Sequence, residues 1–475
     1  THRQASELAE RIRQREVTAL EVIQAHLNHI KQHNPQIKAV SVLAADEALE
    51  SARQVDQELS AGSSEVGPLH GVPITLKDHA IVKGLHTTLG LPQYWNYRPS
   101  IDCELVARLR RAGAIILGRT NVPFGCYDWN CRNPIYPETV NPWDFSRTPG
   151  GSSGGAAAAI ATGMTPLDMG SDLAGSIRLP SHCCGIFGLR TTDGLLPMND
   201  VGPEDFPDAP TLLTVCGPMG RSIADLHLML SVLDPEQRQD TPPVPEKLRI
   251  AYTHNILDIT ANEATQVEIE SFLNKLSKDG HQVASNCAPE VDMAECFELW
   301  AMITGHLASI SLPKLMRTEP LNSILLFYVL QMRMGGGWMA QKLRKGFHSS
   351  DRDFQQALQR LEEIRQEVDR FYDQYDLWIL PSMPGPAFER TRMNWNFRVE
   401  GERVSYGNYN GTYHCTTALM GTPGLALPIG FTNGLPLGVQ VHSRAFSDFW
   451  LLKVAEQHLE PHAEIRWPNG FGPPS

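Results

Sequence analysis

Apolar residues recur at helical spacing from residue 5 to residue 31 (ASELAERIRQREVTALEVIQAHLNHIK), with Thr18 placed to cap a second helix within that stretch. Residues 45–61 repeat the pattern and predict a further helix. Beyond them the period changes to short apolar runs alternating with helical segments. Val72–Leu76 reads as a strand, Asp102–Ala112 as a helix and Ala114–Leu117 as a strand. Gly154–Thr162 is helical again, and Pro166–Met169 is a short strand. Such alternation predicts an α/β core around a largely buried mixed sheet.

Residues 240–375 differ. After the linker Asp240-Thr241-Pro242-Pro243-Val244-Pro245, the strand Leu248–Tyr252 precedes a mainly helical stretch. Helical periodicity covers Glu295–Leu315, Leu321–Met334 and Ser350–Tyr372, with Gly335-Gly336-Gly337 as a break. The α/β pattern returns at Leu377–Pro381 and closes with a turn and strand over 434–441 and a helix from Phe446. No internal repeat or low-complexity tract interrupts it. The expected organisation is one α/β unit over 1–475, with N-terminal helices to about 65 and a mainly helical variable insertion at about 255–375.

Composition narrows the function classes. With 42% apolar and 20% charged residues the 475-residue chain is an ordinary globular protein of enzyme size. A net charge of −12 argues against nucleic acid or an anionic membrane as the main partner. The apolar run Ser323–Leu330 is too short to span a bilayer, so no integral membrane segment is expected. Nine cysteines include no CxxC pair, and Cys183-Cys184 are adjacent, which predicts reduced thiols in a cytoplasmic protein. No secretory signal is read at the start, where numbering begins at Thr1, and the sequon Asn410-Gly411-Thr412 is read as chance.

The chemistry concentrates in three places. Gly151-Ser152-Ser153-Gly154-Gly155 fits the G-x-S-x-G elbow that would make Ser153 a nucleophile. That elbow needs a strand just before it, whereas Asn141–Gly150 reads as an irregular loop. A phosphate loop fits poorly, because the lysine of its motif is missing. The stronger reading combines Lys77, Ser152 and Ser176. A serine hydroxyl attacks only if a base takes its proton, and a lysine is a base only when burial keeps it neutral. Lys77 ends an apolar strand, and a second serine can relay the proton because a hydroxyl both donates and accepts. The small turn Leu173-Ala174-Gly175-Ser176 could aim successive amides at one oxygen, as an oxyanion hole requires.

GVPITLKD, TPGGSSGG, GSDLAGSIRLP and CCGIFGLR, in this order, resemble the amidase signature family along nearly the whole chain. Spacing agrees: 75 residues separate Lys77 from Ser152, and 24 separate Ser152 from Ser176. GTPGLALPIG and GLPLGVQV resemble the family's C-terminal motifs. The resemblance implies the amidase signature fold, a large mixed twisted sheet covered by helices on both faces. It implies hydrolysis of a linear carboxamide through an acyl-enzyme on Ser176, with Ser152 as the bridging serine, usually after a cis peptide, and Lys77 as base. Ser153 would support Ser152 by hydrogen bonding. The amides of Leu173, Ala174, Gly175 and Ser176 would hold the oxyanion, and Cys126 would offer its backbone carbonyl to the substrate. No metal or organic cofactor is implied; the partner is a small-molecule amide, and a homodimer is the expected assembly.

One position departs from the family, which usually has two glycines before the nucleophile where this chain has Ala174-Gly175. If positive φ is needed there, alanine costs about 1–2 kcal/mol. Asp172 and Arg178 read as braces of the loop. His79, His86 and His182 read as packed or solvated side chains, and His182-Cys183-Cys184 as too closely spaced for zinc. For the side chains of Cys126, Tyr127, Asp128 and Trp129, pocket lining and core packing stay open. Phe297, Leu299, Trp300, Met302, Ile303, Leu326, Phe327, Leu330 and Met334 carry the same pair of readings, acyl tunnel or core, and a membrane-docking cap is disfavoured by the net charge. Three alternatives stand beside hydrolysis. The first is acyl transfer to an amine on the same scaffold. The second is a role within a tRNA-dependent amidotransferase, for which Gly125–Asn133 lacks the usual glutamine-site pattern. The third is a non-catalytic binding protein. The motifs leave the amide itself open; a short pocket holding Asp128 or Arg132 would favour a small polar one.

Overall fold

In the computed structural model the described residues are 1–62, 66–198, 202–203, 212–236, 242–311, 337–390, 396–399 and 401–473. The strands in chain order are β1 (Val40–Leu43), β2 (Pro73–Lys77), β3 (Ile115–Thr120), β4 (Leu167–Asp172), β5 (Phe187–Arg190), β6 (Val215–Gly220) and β7 (Arg249–Tyr252). A two-residue hairpin, β8 (Asn255–Ile256) and β9 (Ile259–Thr260), precedes β10 (Gln282–Ser285) and β11 (Leu377–Pro381). A second small hairpin, β12 (Phe397–Val399) and β13 (Glu402–Val404), precedes β14 (Gly424–Thr432) and β15 (Leu435–His442). Eleven of these strands form one mixed sheet in the order β1-β3-β2-β4-β6-β5-β14-β15-β11-β7-β10. β3, β2 and β4 run parallel. β4 and β6 are antiparallel, and β11, β7 and β10 are parallel again.

Successive residues of a strand point to opposite faces, and here both faces are buried. Leu377 and Ile379 of β11 join one apolar cluster while Trp378 and Leu380 join another. Helices Glu104–Arg111, Ile223–Leu233, Glu263–Lys278 and Asp448–Val454 cover the first face. Helices Met293–Ser311, Gly337–Phe347, Asp351–Phe371 and Tyr406–Leu419 cover the second. Burial of each large apolar side chain stabilises the fold by about 1.5–3 kcal/mol. The expected α/β sheet covered on both faces is therefore present.

At the N-terminus the periodicity resolves into Ala5–Arg13 and Ala19–Ile37. The second helix begins where Thr18 accepts from the Glu21 amide at 3.1 Å while the Thr18 amide donates to the Glu21 carboxylate at 2.9 Å. This reciprocal pair satisfies two of the donors that a helix start leaves open. Two boundaries differ from the sequence reading. β4 runs three residues beyond Met169, because Gly170, Ser171 and Asp172 pair with Gly217, Cys216 and Val215 of β6. Tertiary pairing overrides the low strand preference of Gly, Ser and Asp. A helix also starts directly at Gly337, where a break was expected. The predicted helix Leu321–Met334 lies outside the described residues.

Candidate active site

The carboxyl ends of three parallel strands, β2, β3 and β4, meet at one point, the usual place for a site in an open α/β sheet. Lys77 is the last residue of β2 and pairs in register with Thr120, the last of β3. Its side chain is fully buried. The ammonium donates to the Ser152 hydroxyl at 2.6 Å, to the Ser171 hydroxyl at 2.9 Å and to the Ser171 carbonyl at 3.2 Å. Burial lowers the Lys77 pKa, opposed by negative charge on neighbours that include Asp172 and Asp168. A buried lysine with its pKa lowered and a serine hydroxyl in contact is competent to take a proton.

The strand end that carries Lys77 is clamped from below. Arg119 of β3 donates to the carbonyls of Lys77 at 2.9 Å and Ala80 at 2.6 Å and pairs with Asp78 at 3.4 Å. Asp78 in turn accepts from the Thr88 amide at 2.9 Å and the Thr88 hydroxyl at 2.5 Å.

Ser152 and Ser153 precede the helix Gly154–Ala161, whose residues are all buried. The Gly151–Ser152 peptide bond is cis, as the family resemblance implied. Gly151 sits so close to the loop below that an added Cβ would stand 2.4 Å from the Asp128 carbonyl oxygen. The Ser153 amide donates to the Ser176 carbonyl at 3.1 Å, which ties the two serine loops together. The Ser153 hydroxyl reaches the Ser171 carbonyl at 3.5 Å; no bond to Ser152 is found among the described contacts. Ser153 thus braces Ser171 and Ser176 and not the bridging hydroxyl directly.

Ser176, buried at 9% exposure, lies on the turn between β4 and the helix Arg178–Cys184. Asp172 organises that turn. Its carboxylate accepts from the Gly175 amide at 2.8 Å, the Ile177 amide at 3.1 Å, and Arg178 Nε and Nη2 at 3.1 and 3.0 Å. Burial alone would raise the Asp172 pKa. The charge and hydrogen bonds of Arg178, with the charge of Arg190, outweigh it and hold the carboxyl below the usual carboxylate range. Arg178 extends the brace to Thr417 at 2.6 Å and Gln440 at 2.7 Å. Asp172 and Arg178 are braces, as their sequence positions implied.

The Gly175 amide is therefore spent within the turn. Among the described residues the amides of Leu173, Ala174 and Ser176 have no protein acceptor, so these three remain to meet an oxygen. The positive φ falls on Gly175, at +89°, and not on Ala174. Alanine in place of the family's first glycine carries no backbone strain here. The opposite edge of the loop is held by two indoles: Trp129 Nε1 donates to the Ala174 carbonyl at 2.9 Å, and Trp300 Nε1 to the Leu173 carbonyl at 3.2 Å.

Cys126 ends a short helical turn, Phe124–Cys126, with φ of +61°. Its thiol lies near the Ser152 side chain and Lys77, and burial pushes its pKa up to about 11. The side chain of Cys126 thus lies beside Ser152. Asp128 accepts from the Tyr406 hydroxyl at 2.6 Å. Phe297, Leu299, Trp300 and Ile303 lie in the buried cluster of the second sheet face, with Met302 packed against it. Leu326, Phe327, Leu330 and Met334 lie outside the described residues. His182 bonds the backbone of Gly438 and Gly385 through its two ring nitrogens, a packed histidine. His79 donates to or accepts from Cys216 at 3.3 Å.

The amidase family model matches residues 21–452, nearly the whole chain. The chain belongs to the amidase signature family. Among curated relatives, a glutamyl-tRNA(Gln) amidotransferase subunit from Synechococcus sp. (strain JA-3-3Ab) is 29% identical, over 94% of this chain and 90% of the relative. The indoleacetamide hydrolase of Bradyrhizobium diazoefficiens is 28% identical, over 95% of this chain and 85% of the relative. A solved amidase structure superposes with a TM-score of 0.81 at 25% identity, covering 97% of this chain and all of that one. No helix among the described residues is long and apolar enough to cross a membrane.

Sequence reasoning missed Ser171, which gives Lys77 two of its three acceptors. Its only signal was its place directly before Asp172, since the strand was read to end at Met169. The bonds from Trp129 and Trp300 to the loop had no signal, since the indoles come from 45 and 127 residues away.

Proposed function

We propose that this protein hydrolyses a carboxamide through an acyl-enzyme on Ser176. The observation that carries the reading is the 2.6 Å contact between the buried Lys77 ammonium nitrogen and the Ser152 hydroxyl, on a loop tied to Ser176 by the Ser153 amide. Neutral Lys77 draws the proton of Ser152, which draws that of Ser176, and Ser176 Oγ attacks the amide carbon. The carbonyl oxygen gains negative charge and meets the amides of Leu173, Ala174 and Ser176. Collapse of the tetrahedral intermediate breaks the C–N bond, and the leaving amine takes the proton held by Lys77, relayed through Ser152. Water then repeats the sequence on the ester and frees the acid.

A fluorophosphonate probe tests the nucleophile: wild-type protein is labelled at Ser176 and turns over a panel of primary and secondary amides, whereas Ser176→Ala does neither. Turnover that survives in Ser176→Ala defeats the proposal. Product analysis with added amines separates hydrolysis from acyl transfer to an amine.

A second reading comes from the relatives named as glutamyl-tRNA(Gln) amidotransferase subunits: this chain would then release ammonia from glutamine within a larger complex. Glutaminase activity together with copurifying partner proteins is its signature, and their joint absence refutes it.

A further inference from the structure

A further buried carboxylate meets the backbone of Lys77. Asp168 of β4 is fully buried and stands in register with Thr75 of β2. Three donors from two other strands converge on it. The Thr75 hydroxyl donates at 2.7 Å, the Thr120 hydroxyl at 2.9 Å and the Lys77 amide at 3.0 Å. No cation pairs with Asp168 within 4 Å among the described residues; the nearest guanidinium, Arg119, is committed to two carbonyls and to Asp78. Asp172, the other carboxylate near Lys77, is neutralised by Arg178 and lies near Arg190. Asp168 is thus a buried carboxylate with no cation in direct contact, reached only by the more distant charge of Arg119.

We propose that Asp168 is a positioning residue that sets the proton affinity of Lys77 while holding the ends of β2 and β3 together. The inference rests on the function proposed above. A negative charge beside a buried lysine favours its protonated form and so offsets burial. Without that offset Lys77 would be neutral at lower pH but a weaker base, and proton transfer follows base strength. Burial raises the Asp168 pKa to about 6, so the carboxylate is charged at neutral pH and above. The other groups that face Lys77 are Cys126 from the helical turn, Cys216 from β6 and Asp172 from β4, with His79 and Arg119 flanking the end of β2. The two thiols have pKa values pushed up by burial, to about 11 and about 12, and are uncharged across the neutral range. His79 has its pKa held well below the usual value by burial and by the charge of Lys77.

The test is the rate of fluorophosphonate labelling of Ser176 as a function of pH. Asp168→Asn keeps the shape and an acceptor for the Lys77 amide but removes the charge; Asp168→Ser is a second uncharged variant. Thr75→Val is the control that removes one bond and keeps the charge. The expected result is an acid limb moved down by about one pH unit in the uncharged variants, with a plateau roughly threefold to tenfold lower. Thr75→Val lowers the rate with its limb in place. A limb that stays put in folded Asp168→Asn, or two uncharged variants that both fail to fold, would show that the carboxylate serves only the strand ends and overturns the inference. Absence of labelling in the wild-type protein instead overturns the proposed function, and this inference with it.

Discussion

The imidazole of His414 lies directly over the α-carbon of Gly175, so that an added Cβ would stand 2.3 Å from His414 Cγ. His414 is fully buried, and burial together with the charge of Arg178 keeps its pKa well below the usual histidine value. A neutral ring on one side and the Asp172 carboxylate on the other hold the turn that carries Ser176. The two residues before Ser176 therefore differ in kind.

Gly175→Ala meets both the ring and a φ of +89°, and is expected to cost about 2 kcal/mol or more and to abolish labelling of Ser176. Ala174→Gly is expected to cost only about 0.5–1 kcal/mol, through chain entropy, and to leave labelling within a fewfold of wild type. Denaturant unfolding and labelling rates check both. Equal damage from the two substitutions would contradict the assignment of the strained position.

Loss of Asp172 leaves Arg178 and Arg190 buried without their counter-charge. Asp172→Asn is expected to destabilise the fold by about 3–5 kcal/mol. Because the folded pKa of Asp172 is depressed, its contribution is complete above its unfolded value near 3.8 and declines as pH falls below it. Unfolding measured from pH 7 down to pH 3 should show the wild type and the variant converging as the pH drops. Parallel curves would refute the linkage.

Lys77 has the same sign in a higher pH window. Its folded pKa lies below its unfolded value, so between the two the unfolded chain binds the extra proton and stability from this group rises with pH. Lys77→Met should remove that rise, and should lower labelling of Ser176 by about 100-fold to 10,000-fold with no acid limb left. A variant whose stability follows the wild-type pH dependence would place the titration elsewhere.

The indoles offer a separate check on the loop. Trp300→Phe and Trp129→Phe keep most of the aromatic packing and remove one donor each from the carbonyls of Leu173 and Ala174. Each should cost about 1 kcal/mol of stability and slow labelling severalfold. A variant as fast as wild type would mean that the indole N–H does not hold the loop.

Much of the architecture was legible from periodicity. The capped helix at Thr18, the strand that delivers Lys77 and the helix after Ser153 were read at nearly their observed limits, because apolar spacing and capping chemistry are local. The bounds of β4 were not, since Gly170, Ser171 and Asp172 are strand residues only through pairing with β6. Cys126 was read for its carbonyl, and its thiol proved to lie at Ser152, a contact made by a left-handed turn that the residues alone do not announce.

By itself the sequence determined the α/β class and the family, and it singled out Lys77, Ser152 and Ser176 as candidates, since periodic burial and motif spacing are properties of the chain in order. Only the tertiary structure decided how these residues work on one another. Ser171 on Lys77, Asp168 on its backbone amide, His414 over Gly175 and Trp300 on Leu173 are meetings of distant segments. Hydrogen bonds, charge and steric contact act over a few ångströms of space, and spacing along the chain does not report that distance.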